Sequence, residues 1–510
     1  MMQQQKNKIL LKNTIFLYIR ILFILAITLY TSRVVLNVLG IDDYGVYNVV
    51  AGLVTMLGFL SSAMSSATQR FISYEIGINN QDKLTVTFRT CLLIYFIIIV
   101  FIILISETLG IWLLNHKINI PAERISAAYW VLQGSLISFI FSIASIPYIA
   151  NIIAHERMGI FALLSIIDAI SKLLILFVID SINFDKLKLY SIFLSLISFI
   201  IFALYYTINR AKYNFTTFRF EWNRPVFFEI FSYTGWNLFG NVAAVGVNQG
   251  INIILNIFFG PIINAARAIS AQLNSAVYSF ISSLQVAFTP QIVKSYAANE
   301  VERMKHLVFI SAKYSCFLVY IISLPILLKT EIVLYWWLGS VPDYTANFVK
   351  LTLIDSIIIS ISGSLMSAFQ ATGKIKAYQL IIGTIILLNI PLSYCLLSYG
   401  AHPDYVFVTI IIISTITLQL RILLLGKISK TIISGFYNKV IFRIILVIAI
   451  SLPPIMIFNK IINNSIMGLI MTYLITTIIT AFSIMLIGMS KQEKIYVKKY
   501  FKKYLNRELL

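Results

Sequence analysis

The chain has 510 residues, of which 59% are hydrophobic and 12% are charged, and its formal net charge is +20 at pH 7. A mean hydropathy of +0.88 excludes a soluble globular protein. The positive charge does not indicate nucleic-acid binding, because Lys and Arg recur in the short breaks between long apolar segments instead of forming one patch.

Fourteen apolar segments are long enough to cross the hydrocarbon core of a bilayer, which takes about 20 helical residues. The sequence therefore predicts an all-α polytopic membrane protein with about 14 transmembrane helices. No break between the segments is long enough to fold as a separate domain. The predicted spans lie at roughly 14–39, 44–67, 90–114, 125–150, 158–180, 189–209, 226–258, 262–289, 308–337, 345–370, 376–399, 404–425, 439–459 and 465–489.

Basic residues predict the orientation of these spans. Lys and Arg concentrate in the N-terminus, in every second break and in the C-terminal tail. Because cytoplasmic loops carry the excess of positive charge, both termini are expected in the cytoplasm. The apolar N-terminal stretch is too long for a signal peptide and is predicted to remain as the first span.

The first half of the chain recurs about 220 positions later. Three short motifs share this offset: Leu36-Asn37 with Leu255-Asn256, Ala51-x-Leu53 with Ala271-x-Leu273, and Ser73-Tyr74 with Ser295-Tyr296. Many transporters are built from duplicated bundles of this kind, whose lobes move against each other around a central site. Transport is therefore the leading hypothesis.

The repeat predicts the domain organisation. Two six-helix lobes, 1–212 and 224–430, point the same way because each has an even number of spans. They are followed by two additional transmembrane helices, 439–490, and by a basic cytoplasmic tail, 491–510. The additional helices either stabilise the bundle or line a lipid-facing groove for a substrate with a long tail.

Two of the arginines within predicted spans, one in each lobe, lie near the outer end of their span. Arg33 is near the outer end of the first span, beside Asn37, and Arg267 is near the outer end of the eighth. At a rise of 1.5 Å per residue, each is only about 8–10 Å from its loop. One explanation is therefore that the arginine side chains extend to the outer membrane interface. The other is that both face a water-filled cavity between the lobes and bind phosphate oxygens.

The seventh and eighth spans are unusually polar. Asn248, Asn252 and Asn256 recur every four residues and form one stripe on a helix, and Asn264 and Gln272 follow. Amides that face lipid are costly, so most of them are expected to contact other helices or water. Hydrogen bonds between helices explain part of the set, whereas the stripe suits a cavity wall that binds sugar hydroxyls.

Three ionisable residues near the middle of the membrane are candidates for coupling transport to H⁺ or Na⁺. Asp168 and Lys172 are four residues apart in the fifth span, where they are expected to form an ion pair. Asp355 is equally deep in the tenth span and has no local partner, as a cation-coupled carrier requires. A purely structural role is the alternative for both sites.

Two further basic residues, Arg70 and Lys294, end the second and eighth spans at matching positions on the predicted cytoplasmic side. They are either topological anchors or parts of an inner gate. The sequence alone leaves both interpretations open.

The sequence does not predict an enzyme. Asp42-Asp43, in the first outer loop, is similar to the acidic pair of polyprenyl-dependent membrane glycosyltransferases, but a tight turn between Gly40 and Gly45 explains it better. Such enzymes usually have a large outer loop, which is not predicted here. Catalytic residues, metal ligands and cofactor motifs are not predicted either, since the three Cys lie in spans and the four His are scattered.

Several stretches together resemble the O-antigen type of polysaccharide flippase in the multidrug/oligosaccharidyl-lipid/polysaccharide (MOP) exporter superfamily. The resemblance extends over nearly the whole chain. It is carried by Thr31-Ser-Arg-Val-Val-Leu-Asn-Val-Leu-Gly40, Asp42-Asp-Tyr-Gly-Val-Tyr47, Ser65-Ser-Ala-Thr-Gln-Arg70, Asn252-Ile-Ile-Leu-Asn256, Ala265-Ala-Arg-Ala-Ile-Ser-Ala-Gln272 and Thr289-Pro-Gln291.

The resemblance implies a flippase of the bacterial cytoplasmic membrane. Such proteins move an undecaprenyl-pyrophosphate-linked oligosaccharide, for example a lipopolysaccharide O-antigen or capsule repeat unit, to the outer leaflet by alternating access. Arg33 and Arg267 would hold the pyrophosphate, the amides would hold the glycan, and the tail would stay in membrane lipid beside the last two helices. The polymerase machinery is an expected partner, and nucleic acid is not.

The alternative on the same fold is a cation-coupled drug or metabolite antiporter. Drug-exporting members of the superfamily tend to have twelve spans and an acidic residue in the cavity of the first lobe. Here the first span contains arginines and no acid, and fourteen spans are predicted, which fits an anionic cargo better.

Overall fold

The structure is a computed structural model that describes residues 2–55, 57–116, 120–217, 219, 222–426, 431–463, 465–491 and 493–495. All regular elements in these ranges are helices. The α-helices are α1 (Met2–Thr55), α2 (Gly58–Gly77), α3 (Gln81–Ile105), α4 (Ile111–His116), α5 (Ile125–Ala154), α6 (Met158–Asp180), α7 (Lys186–Lys212), α8 (Arg224–Phe259), α9 (Pro261–Ala297), α10 (Val301–Leu328), α11 (Thr330–Leu338), α12 (Thr345–Thr372), α13 (Lys376–Leu387), α14 (Asn389–Ser398), α15 (Asp404–Leu425), α16 (Thr431–Phe436), α17 (Phe442–Ile461) and α18 (Ile466–Ser483). Short π-helical and 3₁₀ turns join or extend some of them, at Ser106–Gly110, Ala122–Arg124, Tyr437–Ile441 and Ile484–Gly488.

Thirteen helices or joined helix runs in these described ranges are long and apolar enough to cross a membrane. They correspond to thirteen of the fourteen predicted spans. The other predicted span, 44–67, falls on the last part of α1, which ends at Thr55, and on α2, which begins at Gly58. With this pair of helix segments, the fold is that of an all-α polytopic protein with about 14 transmembrane helices.

The two halves of the chain repeat the same helices. α10 begins 220 positions after α3, α12 begins 220 after α5, and α15 begins 218 after α7. Backbone breaks repeat as well: φ is 81° at Gly40 and 76° at Gly260, and 56° at Asn79 and 60° at Asn299. Positive φ is uncommon and favours Gly and Asn. The same backbone feature therefore recurs at an offset of 220 residues in the two halves, and α17 and α18 follow the repeated helices.

Gly40 divides α1 into two helices. Its backbone angles, φ 81° and ψ 170°, are almost restricted to glycine. The helix resumes at once, so Asp42, Asp43 and Gly45 are helical and the predicted tight turn is reduced to a break at Gly40 alone. The reason is that one residue with positive φ is enough to redirect a helix, and no further loop residues are needed.

Asp43 has a structural role beside this break. Its side chain is bound by Arg124, whose Nε donates to Asp43 Oδ1 at 2.6 Å and whose Nη1 donates to Asp185 Oδ2 at 3.0 Å. Asp43 is buried. The guanidinium therefore ties the start of three helices together, and this carboxylate is occupied by the protein itself.

The chain divides into two compact units. The first unit consists of Met1–Val242, Val286–Met304 and Phe369–Leu380. The second unit consists of Ala243–Gln285, Lys305–Ala368 and Ile381–Leu510. The first unit thus includes short helix ends that the repeat assigns to the second lobe. The predicted lobe limits stay predictions, and most of the basic tail lies outside the described residues.

Each unit has its own apolar core. In the second unit, Ile251 and Leu255 of α8 pack with Ala266 of α9 and Phe348 of α12, and all four are fully buried. In the first unit, a comparable cluster joins α2, α3 and α5. In the second unit, the packing of Ile251 and Leu255 fixes the rotation of α8 about its own axis. The polar residues of α8 therefore face away from this core.

Candidate substrate-binding site

Arg267 and Asn248 come together in the second unit. Arg267 Nη2, on α9, donates to Asn248 Oδ1, on α8, at 3.4 Å. Asn248 Nδ2 donates in turn to the carbonyl of Ala244 at 3.3 Å. Arg267 is 7% exposed, and no carboxylate of the described residues lies within ion-pair distance. A guanidinium has five N–H donors, and this one makes a single long hydrogen bond to a neutral amide. Its other N–H groups can therefore donate hydrogen bonds to a bound anion.

The amide stripe of α8 is accessible along its length. Asn248 and Asn256 are exposed and Asn252 is half-buried. Asn252 Nδ2 donates to Gln249 Oε1 at 3.4 Å, which is a long hydrogen bond. The stripe therefore offers amide groups that are held only weakly by the protein and that lie on the helix face beside Arg267.

The polar residues of α9 differ in their surroundings. Gln272 is exposed and Asn264 is half-buried. Within the part of the chain that the structure describes, Asn264 Oδ1 has no hydrogen-bond partner. Asn274, by contrast, is bound by the hydroxyl of Ser356 on α12. Asn274 thus joins two helices, as expected for one part of the polar set, whereas Asn264 and Gln272 remain candidates for substrate contact.

Arg33 and Asn37 lie on α1 in the first unit. Both are exposed, and Val34 and Val35 between them are buried. Four residues apart on a helix, Arg33 and Asn37 share a face. Arg33 and Asn37 thus share one exposed helix face in the first unit, whereas Arg267 and Asn248 are joined by a hydrogen bond in the second unit.

The three coupling candidates occupy two kinds of environment. Asp168 and Lys172 form the ion pair expected from their spacing, with 2.8 Å between Oδ2 and Nζ. Asp355 is 8% exposed on α12, and the hydroxyl of Ser414 on α15 hydrogen-bonds its carboxyl group. Its Oδ1 atom has no hydrogen-bond partner in the described ranges. Asp355 therefore does have a contact from a neighbouring helix, although not a charged one.

Lys313, which is buried, and Glu493, which is partly buried, form an ion pair that the sequence does not predict. Lys313 Nζ lies 3.0 and 2.7 Å from the two carboxylate oxygens of Glu493. Burial alone would raise the pKa of Glu493, but hydrogen bonds from Lys313 and Ser490 lower the pKa below its usual value. A lysine inside the predicted span 308–337 was the available signal. Its partner, 180 positions away, follows no local spacing rule.

Glu156, in the turn between α5 and α6 of the first unit, makes another contact that the sequence does not predict. Glu156 accepts hydrogen bonds from both Gln291 and Lys294 of α9. Among the residues that the structure describes, no group of three or more His, Cys, Asp and Glu is arranged to hold a metal ion.

A family model for MatE matches residues 237–395. This segment covers most of α8, all of α9 and the helices through most of α14, and it includes Asn248, Arg267 and Asp355. A comparison with curated proteins finds no match.

Solved structures share the fold over most of the chain. A crystal structure of a MATE mutant is 14% identical with a TM-score of 0.70, covering 84% of this chain and 97% of that chain. An outward-facing multidrug resistance MATE family transporter of the MOP superfamily is 13% identical, with a TM-score of 0.69 and coverage of 84% and 96%. A MOP superfamily transporter from Pyrococcus furiosus, for which a binding pocket of reverse polarity suggests a different function, is 13% identical, with a TM-score of 0.67 and coverage of 83% and 96%. Residues 237–395 thus match the MatE family model, and the chain shares its fold with solved MATE transporters.

Proposed function

We propose that the chain is a non-enzymatic, alternating-access transporter of the MATE/MOP type and that its substrate is anionic. The observation that carries this proposal is the buried guanidinium of Arg267, which has an amide neighbour and no carboxylate partner in the described ranges. A planar guanidinium binds phosphate oxygens in a bidentate manner, so a phosphate or pyrophosphate group suits it better than a cationic drug.

The proposed substrate is an undecaprenyl-pyrophosphate-linked oligosaccharide, such as an O-antigen, capsule or exopolysaccharide repeat unit. Arg267 would bind the pyrophosphate, and Arg33 with Asn37 would add a second cation and an amide from α1. The accessible amides of α8 supply donors and acceptors for sugar hydroxyls. The polyprenyl tail would remain in membrane lipid beside α17 and α18, in a bacterial cytoplasmic membrane with both termini cytoplasmic and the polymerase machinery nearby.

The arginine contacts set the expected size of a mutant effect. A charge-assisted hydrogen bond contributes about 1.5–3 kcal/mol, and a bidentate contact contains two of them. Arg267→Ala should therefore weaken substrate binding at least about 100-fold, since each 1.4 kcal/mol is a factor of ten. Arg267→Lys keeps the charge but loses the fork, so its loss should be intermediate.

A cation-coupled drug or metabolite antiporter is the second candidate. The outward-facing structural neighbour is described as a multidrug resistance transporter, which favours this candidate on fold. Asp355 supports it on chemistry, because a buried carboxyl group with only a hydroxyl contact can exchange a proton or Na⁺ during a transport cycle. Against it, the reverse polarity of the binding pocket in the Pyrococcus furiosus protein suggests a different function for that member of the same fold.

The direct test is lipid-linked oligosaccharide flipping in liposomes that contain the purified protein. An external glycosidase reports how fast inner-leaflet glycan becomes accessible. We expect fast conversion with the wild type, little with Arg267→Ala, and an intermediate rate with Arg267→Lys. Lys186→Gln, which breaks an exposed ion pair with Asp180, is the matched control and should be normal. Unchanged rates in both Arg33→Ala and Arg267→Ala would contradict the proposal.

The second candidate is tested in the same liposomes with a cationic dye and an imposed H⁺ or Na⁺ gradient. Gradient-driven dye efflux that is lost in Asp355→Asn and retained in Arg267→Ala would support the antiporter and overturn the flippase. Glycan flipping that persists without a gradient and in Asp355→Asn would do the opposite.

A further inference from the structure

The predicted cytoplasmic ends of several second-half helices belong to the first compact unit. These are the start of α8, the ends of α9 and α12, and the starts of α10 and α13. Their membership means that they pack with first-half helices there. Two sets of polar contacts make this connection, and both involve the basic residues that the sequence places at matching inner positions.

The first contact set is built around Glu156, in the turn between α5 and α6. Its carboxylate accepts from Gln291 Nε2 at 2.9 Å and from Lys294 Nζ at 2.7 Å, one turn apart on α9. Its backbone carbonyl accepts from Asn13 Nδ2, on α1, at 2.8 Å. The Lys294 and Glu156 side chains are 20% and 16% exposed, so the pair is partly shielded from solvent. Glu156 therefore links α1 and α9 to the turn between α5 and α6.

The second contact set is built around Arg70, near the end of α2. Its Nε donates to the carbonyl of Gln370 at 3.2 Å and its Nη2 to that of Ala371 at 3.3 Å, in the last turn of α12. The guanidinium also lies over the Tyr233 ring of α8, 5.6 Å from its centroid. A cation at the C-terminal end of a helix is favoured by the unpaired carbonyls and by the helix dipole. Arg70 is 6% exposed, so these contacts are shielded from solvent.

The two sets occupy equivalent places in the repeat. Glu156 follows α5 with φ 60°, and Gly373 follows the equivalent helix α12 with φ 74°, 217 positions later. A Cβ at Gly373 would lie 2.5 Å from Arg70 Nη2, so any other residue here would force the guanidinium to shift from its present position. Lys294 of the second half thus binds the turn after α5. Arg70 of the first half binds the end of the equivalent helix α12.

The ends of the two cation-bearing helices also touch. At Gly77, the last residue of α2, a Cβ would lie 2.8 Å from Ala297 Cβ and 2.9 Å from the Lys294 backbone. Backbones that come this close need glycine at the crossing. The two contact sets therefore flank a close helix contact with no room for an added side-chain atom.

We propose that these contacts are a pair of reciprocal latches that hold the predicted cytoplasmic side closed. The Glu156 latch consists of Glu156, Gln291 and Lys294, and the Arg70 latch consists of Arg70 and the carbonyls of Gln370 and Ala371. Both must release before the inner side opens. A role of the latches in transport rests on the proposed alternating-access function. Whether they close the predicted cytoplasmic side is measured without any substrate.

The test measures how fast a buried cysteine reacts with a membrane-impermeant maleimide in inside-out vesicles. The probe is Ser73→Cys, one turn before Gly77 on α2 and 0% exposed, in a chain whose three native cysteines are replaced. We expect slow labelling with both latches intact. Glu156→Gln, Lys294→Gln and Arg70→Gln should each raise the rate by about three- to tenfold, as for loss of one shielded polar contact.

The charge exchange Glu156→Lys with Lys294→Glu should restore slow labelling, because the pair is re-formed with opposite polarity. Gly77→Val should raise labelling through the helix contact without changing any charge, and Lys186→Gln should not change it. Equal rates in the wild type and all three single latch variants would overturn the proposal. So would an exchange variant that labels as fast as the singles, or faster labelling from the opposite face of the membrane.

Discussion

Gly260→Ala tests whether the joint between α8 and α9 needs a backbone conformation that glycine alone adopts easily. Gly260 has φ 76° and stands between the last residue of α8 and the first of α9. A Cβ at this position would meet no heavy atom within 4 Å. The expected cost is therefore backbone strain and not crowding, and a non-glycine residue held at positive φ costs about 1–3 kcal/mol.

The matched control is Gly246→Ala, in the interior of α8. A Cβ there also meets nothing within 4 Å, but the backbone is helical. Alanine is favoured over glycine inside a helix by about 0.5–1 kcal/mol. The same chemical change should thus destabilise the protein at Gly260 and stabilise it at Gly246, with a difference of about 1.5–4 kcal/mol between the two variants.

The free energy of unfolding is measured by reversible titration with dodecyl sulfate in mixed micelles, followed by tryptophan fluorescence. Because Arg267 is in the second turn of α9, a distorted joint should also slow glycan flipping in Gly260→Ala but not in Gly246→Ala. Gly40→Ala, the equivalent change in the first half, should resemble Gly260→Ala. A Gly260→Ala protein as stable as the wild type, alongside a stabilised Gly246→Ala, would refute the reasoning.

Three other predictions use the same unfolding measurement. Lys313→Met should destabilise the protein by about 1–3 kcal/mol, because it leaves the partly buried carboxylate of Glu493 without its ion-pair partner. Adding Glu493→Gln should recover much of the loss, and a double variant no more stable than the single would contradict this. Asp43→Asn should destabilise the protein by about 1–3 kcal/mol, because its contact with Arg124 is lost. The glycan chain length in cells should stay the same, whereas a change would be expected if Asp43 were a catalytic residue of a glycosyltransferase. Burial lowers the pKa of His155 from 6.5 to about 4. As the pH decreases from 6.5 to 4, the unfolded chain takes up this proton before the folded chain, so the free energy of unfolding should fall. His155→Asn should remove this pH dependence.

The fold was largely predictable because membrane insertion imposes simple rules on sequence. Apolar length and positive charge predict spans and orientation, and thirteen of the predicted spans are found as helices of sufficient length and hydrophobicity. The errors are local. The predicted turn between Gly40 and Gly45 is one residue with positive φ followed by helix, because a glycine can redirect a helix without a loop.

The candidate site was predictable only where partners are close in sequence. The Asp168–Lys172 pair follows from its i, i+4 spacing. The contact between Arg267 and Asn248 depends on the fold of two helices around Gly260, and spacing alone did not predict it. Pairs that join distant helices, such as Lys313 with Glu493, are set by tertiary packing and leave no periodic signal in the chain.

The backbone breaks shared by the two halves have an evolutionary consequence. A six-helix ancestor begins and ends on the same side of the membrane, so fusing two copies head to tail requires only a linker and no additional crossing. A symmetric homodimer of such an ancestor would carry identical residues at both equivalent turns. Fusion into one gene allows the turns to differ, with a carboxylate at Glu156 and a glycine at Gly373. The unequal pair of contacts seen here is therefore open to a single-chain descendant and closed to a symmetric homodimer.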